Sequence, residues 1–93
     1  MKEVRWRLEG IGTEDAFQDL VQESLSFPHY YGRNPDAFWD CLNEIFEEVT
    51  IRVSGRDTLE EELRKNIDLY LDMCREYETA RRARRGTFHL IVE

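Results

Sequence analysis

An α/β fold, in which a three-stranded parallel β-sheet is packed with about four helices in a single domain spanning residues 1–93, is predicted by two periodicities and the distances between them. Short runs that alternate apolar and polar residues have the period of a strand, and the segments between them repeat apolar residues with the period of a helix. Connections long enough to hold helices join parallel strands with right-handed chirality. The resulting order is strand, two helices, strand, two helices, strand.

The first strand holds Val4, Trp6 and Leu8, alternating with Arg5 and Arg7. Gly10 and Gly12 break it, Thr13 is suited to cap a helix, and Phe17, Leu20, Val21 and Leu25 then share one helical face until Pro28. The first helix therefore covers roughly Thr13 to Leu25. Gly32 gives the chain freedom to turn, Asn34 is a preferred N-cap, and Pro35 fits the first helical position, where its missing N–H costs nothing. From there Phe38, Cys41, Leu42, Ile45, Phe46 and Val49 recur at helical spacing and set Asp36, Asp40, Glu44 and Glu48 apart as a ladder of like charges. Val49, Ile51 and Val53 alternate with Thr50 and Arg52 as the second strand, which ends at Ser54-Gly55. Thr58 and Glu61 have capping-box spacing ahead of Leu59 and Leu63, and Asn66 separates that short helix from a longer one carrying Ile67, Tyr70, Leu71, Cys74 and Tyr77. Gly86 follows an arginine-loaded helix end, and Phe88, Leu90 and Val92 alternate as the third strand.

A 41% hydrophobic content over 93 residues supports one modest core without disulfide or metal staples. The net charge of -7 is uneven: residues 1–80 carry 19 acids against 9 bases, while Arg81, Arg82, Arg84 and Arg85 crowd one helix end. An acidic body of this kind disfavours broad contact with a phosphate backbone and favours a basic protein partner. The arginine run reads as a solvated helix end that suits the helix dipole; as a nucleic-acid contact it would give weak, salt-dependent binding. Cys41 and Cys74 both fall on apolar helix faces and read as small core residues. With neither Cys-x-x-Cys nor His-x-x-x-His present, no metal is expected, and no cofactor or small-molecule ligand either. MKEVRWRLEG has no signal-like apolar run and nothing later has the length of a membrane span, so the expected location is the cytoplasm.

The stretch from Phe27 to Leu42, FPHYYGRNPDAFWDCL, combines a loop of aromatics expected to be exposed, a helix start and carboxylates. Asp36 and Asp40 lie in the first turns of the helix beside the Tyr30 and Tyr31 loop, where they can present charge to a partner; Glu44 and Glu48 read as a solvated flank. Trp39 fits a core position or an interface equally well. Cys41 with His29 lacks a third orienting group for nucleophilic catalysis, and Asp36 with Asp40 has no legible pocket that would raise a pKa. No enzymatic activity is expected.

Tyr30-Tyr31-Gly32, Asn34, Asp36-Ala37 and Trp39-Asp40-Cys41-Leu42 together resemble the signature of the barstar family, intracellular inhibitors of a secreted ribonuclease. The order of elements and the pair Arg75-Glu76 also fit, so the resemblance covers the whole chain. It implies the same α/β fold and a role in binding, with a basic, extracellular-type, guanyl-specific ribonuclease as partner in a 1:1 complex. It further implies that Asp40 fills the enzyme's phosphate site and that Tyr30 packs on its catalytic histidine. Gly32, Asn34, Asp36 and Trp39 would be contacts of the same loop and helix, joined by Tyr31, and Glu76 a second acidic anchor. Arg33 stands where the family pattern has an acid, and Pro35 where it has an aliphatic residue. The alternatives are a protein-binding module of the same fold or an immunity protein against another toxin, and a weak RNA binder acting through the Arg81–Arg85 run.

Overall fold

The computed structural model describes residues 2–45, 47–84 and 88–93, residues 81–84 by their backbone alone. The elements run β1 (Lys2–Arg7), α1 (Glu14–Ser24), α2 (Pro35–Leu42), β2 (Val49–Ser54), a 3-10 turn (Arg56–Thr58), α3 (Glu61–Arg84) and β3 (Phe88–Val92). The strands form one parallel sheet in the order β1-β2-β3, with Val4, Ile51 and Leu90 in one register row and Trp6, Val53 and Val92 in the next. The predicted class and strand pattern hold. Two successive crossovers of the same hand place the helices on one side of the sheet. The burial pattern agrees: Val4, Trp6, Ile51, Val53 and Leu90 are buried, while Glu3, Arg5, Arg7 and Ile91 on the opposite side are exposed.

Three α-helices are present among the described residues, rather than about four. The expected break at Asn66 does not occur, and α3 runs through it, because one moderate helix former is outweighed by the face of Leu63, Ile67, Tyr70, Leu71, Cys74 and Tyr77 that it seats in the core. The capping box at Thr58 is not formed either. The Thr58 hydroxyl donates back to the Gly55 carbonyl at 2.6 Å, closing the 3-10 turn, and Leu59 is extended. Gly55 sits at φ 79°, a left-handed conformation that glycine takes without steric cost. Arg56 then donates Nε and a terminal nitrogen to the two carboxylate oxygens of Asp68, both at 2.6 Å, tying the turn to α3 and holding the Asp68 carboxyl below its usual range.

Helix α2 is also shorter than its apolar spacing predicts. Asn43 donates its backbone N–H (3.1 Å) and its side-chain amide (2.9 Å) to the Trp39 carbonyl, and the next two amides reach back only three residues. This local side-chain bond competes with continued helix. Glu44 and Glu48 therefore leave the helix, Val49 belongs to β2, and the four-acid ladder is reduced to Asp36 and Asp40; Phe46 lies outside the described residues. Helix α1 matches its prediction, with the Thr13 hydroxyl accepting from the Ala16 amide at 3.1 Å. Its far end closes with Ser26 at φ 56°, as Ser26 and Phe27 donate back to Glu23 and Gln22 in a Schellman arrangement built without glycine.

Beneath the helices lies an aromatic core. Trp6, Phe17, Phe38 and Phe88 are fully buried or nearly so, and Phe38 meets Tyr70 edge-on at 5.1 Å between centroids. Among the described residues no helix is long and apolar enough to cross a membrane, and no cluster of acids, histidines and cysteines could hold a metal ion.

Candidate functional site

Helix α2 starts as its sequence requires. The Asn34 Oδ1 accepts from the Ala37 amide at 2.8 Å, Pro35 follows, and the Asn34 Nδ2 donates to the Gly32 carbonyl at 3.3 Å. Both polar ends of Asn34 are thus used within the chain. The left-handed residue of this turn is Arg33, at φ 53°, and not Gly32. What Gly32 provides is close approach: a Cβ there would lie 3.2 Å from the Asn34 amide nitrogen and 3.3 Å from the Ala37 Cβ.

With the cap in place, Asp36 and Asp40 fall one turn apart on the exposed side of α2. Across from them, Met73 and Glu76 share a face of α3, and Pro35, Asp36, Trp39, Asp40, Met73 and Glu76 line one groove between the two helices. Sequence reasoning placed Asp36, Trp39, Asp40 and Glu76 at a partner-binding surface, and the fold brings these four together. It overlooked Met73, although its spacing of three from Glu76 was a legible signal. Trp39 resolves as both core and surface: its ring meets the buried Tyr77 edge-on at 5.6 Å, and it still lines the groove.

The loop ahead of α2 divides its aromatics. Tyr30 is 75% exposed, with His29 edge-on at 5.6 Å. Phe27 and Tyr31 are buried, so the expectation of a fully exposed aromatic loop is corrected. The Tyr31 hydroxyl donates to the Oε1 of buried Gln18 at 2.7 Å, and burial raises its pKa. Tyr31 supports the loop from beneath. The sequence did hold a signal: Gln18 is a polar residue on the same helical face as Phe17 and Val21, and a buried amide of this kind needs a partner.

The electrostatics of the groove are one-sided. Among the described residues Asp36, Asp40 and Glu76 have no cationic partner on this chain, whereas Glu3, Asp19, Asp68 and Glu93 each face an arginine. Burial raises the Cys41 thiol, and the charges of Glu44 and Asp40 push it the same way. This favours the thiol over the nucleophilic thiolate. Cys74 is fully buried and likewise raised by burial. The groove can therefore accept hydrogen bonds from external cations against an aromatic wall. The Arg81–Arg85 run lies outside the residues whose side chains are described.

Two comparisons bear on this site. The model of the family described as Barstar (barnase inhibitor) matches residues 1–93. A Bacillus subtilis (strain 168) protein named "Putative ribonuclease inhibitor YrdF" is 54% identical over 28 residues, which span 30% of this chain and 31% of that protein.

Proposed function

The chain belongs to the barstar family, and from that premise we propose that it is a proteinaceous inhibitor without turnover of its own, which blocks the active site of a basic, guanyl-specific ribonuclease in a 1:1 complex inside the producing cell. The observation that carries this reading is the groove in which Asp36, Asp40 and Glu76 stand without cationic partners among the described residues, around the half-buried Trp39. A ribonuclease active site presents cations arranged to hold phosphate. Carboxylates satisfy the same donors, because both groups accept charge-assisted bonds from Arg and Lys. Asp40 occupies the phosphate position and Glu76 provides a second anchor from α3. Tyr30, exposed on the loop that leads into α2, packs on the partner's catalytic side chain, while Trp39 supplies an aromatic contact of the kind that dominates interfaces.

Acids gathered at a concave site also steer a basic enzyme toward it and raise the association rate, an effect that weakens with salt. The test is a titration of purified protein against a panel of guanyl-specific ribonucleases, with RNA cleavage as readout. Cleavage should fall linearly to zero at one equivalent for at least one enzyme. Persistent cleavage by every enzyme at excess protein contradicts the proposal.

A further inference from the structure

The loop from Pro28 to Arg33 is held at three points by one face of α1. Gln22 Nε2 donates to the Pro28 carbonyl at 2.8 Å, the Tyr31 hydroxyl donates to Gln18 Oε1 at 2.7 Å, and an Arg33 terminal nitrogen donates both to Asp19 Oδ1 at 2.6 Å and to Gln22 Oε1 at 2.9 Å. Gln22 therefore uses both ends of its amide to join the two ends of the loop. Arg33 holds this position with a left-handed backbone at φ 53°, a region that disfavours residues bearing a Cβ and persists only where the surroundings over-determine it. With Tyr31 turned inward, Tyr30 is left as the exposed aromatic of the loop.

We propose that Arg33 is a positioning residue for the inhibitory surface: its grip on Asp19 and Gln22 fixes the loop in the shape that presents Tyr30 and sets the start of α2, without a contact of its own to the partner. This inference rests on the proposed function. Its physical logic is pre-organisation, since a loop ordered before binding does not have to be ordered during it. Charge points the same way. A free cation beside the groove would oppose a basic partner, and the ion pair with Asp19 turns the guanidinium toward α1, leaving its side chain 36% exposed.

The test compares Asp19→Ala, Arg33→Gly, the double variant and Arg33→Lys in the full chain. It reads binding kinetics to an inhibited ribonuclease together with amide exchange of residues 30–33 in the free protein. Glycine accepts the left-handed conformation and removes the grip but also frees the loop backbone, so Asp19→Ala is the variant that isolates the grip; Asp19 is surface-exposed, and neither variant threatens the fold. Each single variant should raise Kd by about threefold to thirtyfold, the double variant should be no worse than either, Arg33→Lys should recover part of the loss, and loop exchange should accelerate in parallel. Weaker binding by Arg33→Gly with Asp19→Ala unaffected would assign Arg33 a direct contact and overturn the inference, as would tighter binding by Arg33→Gly or faster loop exchange with unchanged Kd. If the unmodified protein inhibits no ribonuclease, the proposed function fails first. The exchange data then stand alone, and unchanged loop exchange in Asp19→Ala overturns the grip itself.

Discussion

The groove between α2 and α3 and the uncovered face of the sheet both carry charged side chains at the surface, yet they treat those charges in opposite ways. On the sheet face Arg5 pairs with Glu93 and Arg52 with Glu3, each at 3.3 Å. In the groove Asp36, Asp40 and Glu76 have no such partner among the described residues. On the first surface Arg5 and Arg52 each meet an acid of the chain, although Arg7 on the same face has none among the described residues; in the second the three carboxylates meet no cation among the described residues. A parallel sheet is ordinarily covered on both faces, and here one face is made tolerable to water by cross-strand charge pairs. Proximity of acids is thus a poor guide to function by itself, and what separates the two surfaces is whether the cation is already supplied.

The groove depends most heavily on the platform beneath it. Phe38→Ala should destabilise the protein by about 3 to 5 kcal/mol, because it empties a fully buried site that meets Phe27 and Tyr70 and seats α2. Chemical denaturation checks this, and inhibitory capacity per folded molecule should fall as α2 loses its seat. A smaller effect is expected beneath the loop, where Tyr31→Phe removes the hydroxyl bonded to Gln18 and should cost about 1 kcal/mol in the same assay.

Alkaline pH acts on the same buried platform. Burial raises the Tyr31 and Tyr70 phenols above their ordinary 10.0 and the Cys74 thiol above 9.0, so the folded protein keeps protons that the unfolded chain releases. Stability is then complete below pH 9 and declines as the pH rises through 9 to 10 and beyond. Denaturation midpoints measured against pH should show this fall, with a shallower slope above pH 10 in Tyr31→Phe. The smallest effects belong to the sheet face. Arg5→Gln or Arg52→Gln should change stability by about 0 to 1 kcal/mol, since each pair is solvent-exposed, and should leave the affinity for a ribonuclease unchanged.

Much of this was legible in the chain. Alternation marked the strands because one sheet face is buried and the other wet, and Asn34-Pro35 marked the start of α2 because capping is chemically local. The end of α2 was not legible: apolar spacing continues to Ile45 and Val49, yet after Asn43, whose side chain bonds the Trp39 carbonyl, the next two amides reach back only three residues. The split between Tyr30 and Tyr31 was half legible: Gln18 on an apolar helix face called for a partner, but which of two adjacent identical residues meets it is decided across the fold. The meeting of α2 with Glu76 rests on helix packing between residues far apart in the chain, which periodicity alone does not encode.

A groove that acts through placed carboxylates, rather than through the overall acidity of the chain, should distinguish two substitutions that change the charge equally. Asp40→Asn and Glu48→Gln remove the same charge, one from the groove and one from the segment just before β2, beside His89. Dissociation and association rates of both variants from an inhibited ribonuclease should be measured side by side. Asp40→Asn should weaken binding by about 2 to 5 kcal/mol, almost wholly through faster dissociation, because the partner's buried cations lose their counter-charge. Glu48→Gln should change only the association rate, and only slightly. Equal effects of the two substitutions would contradict the placed-carboxylate mechanism, since diffuse charge would then be all that the acidic residues contribute.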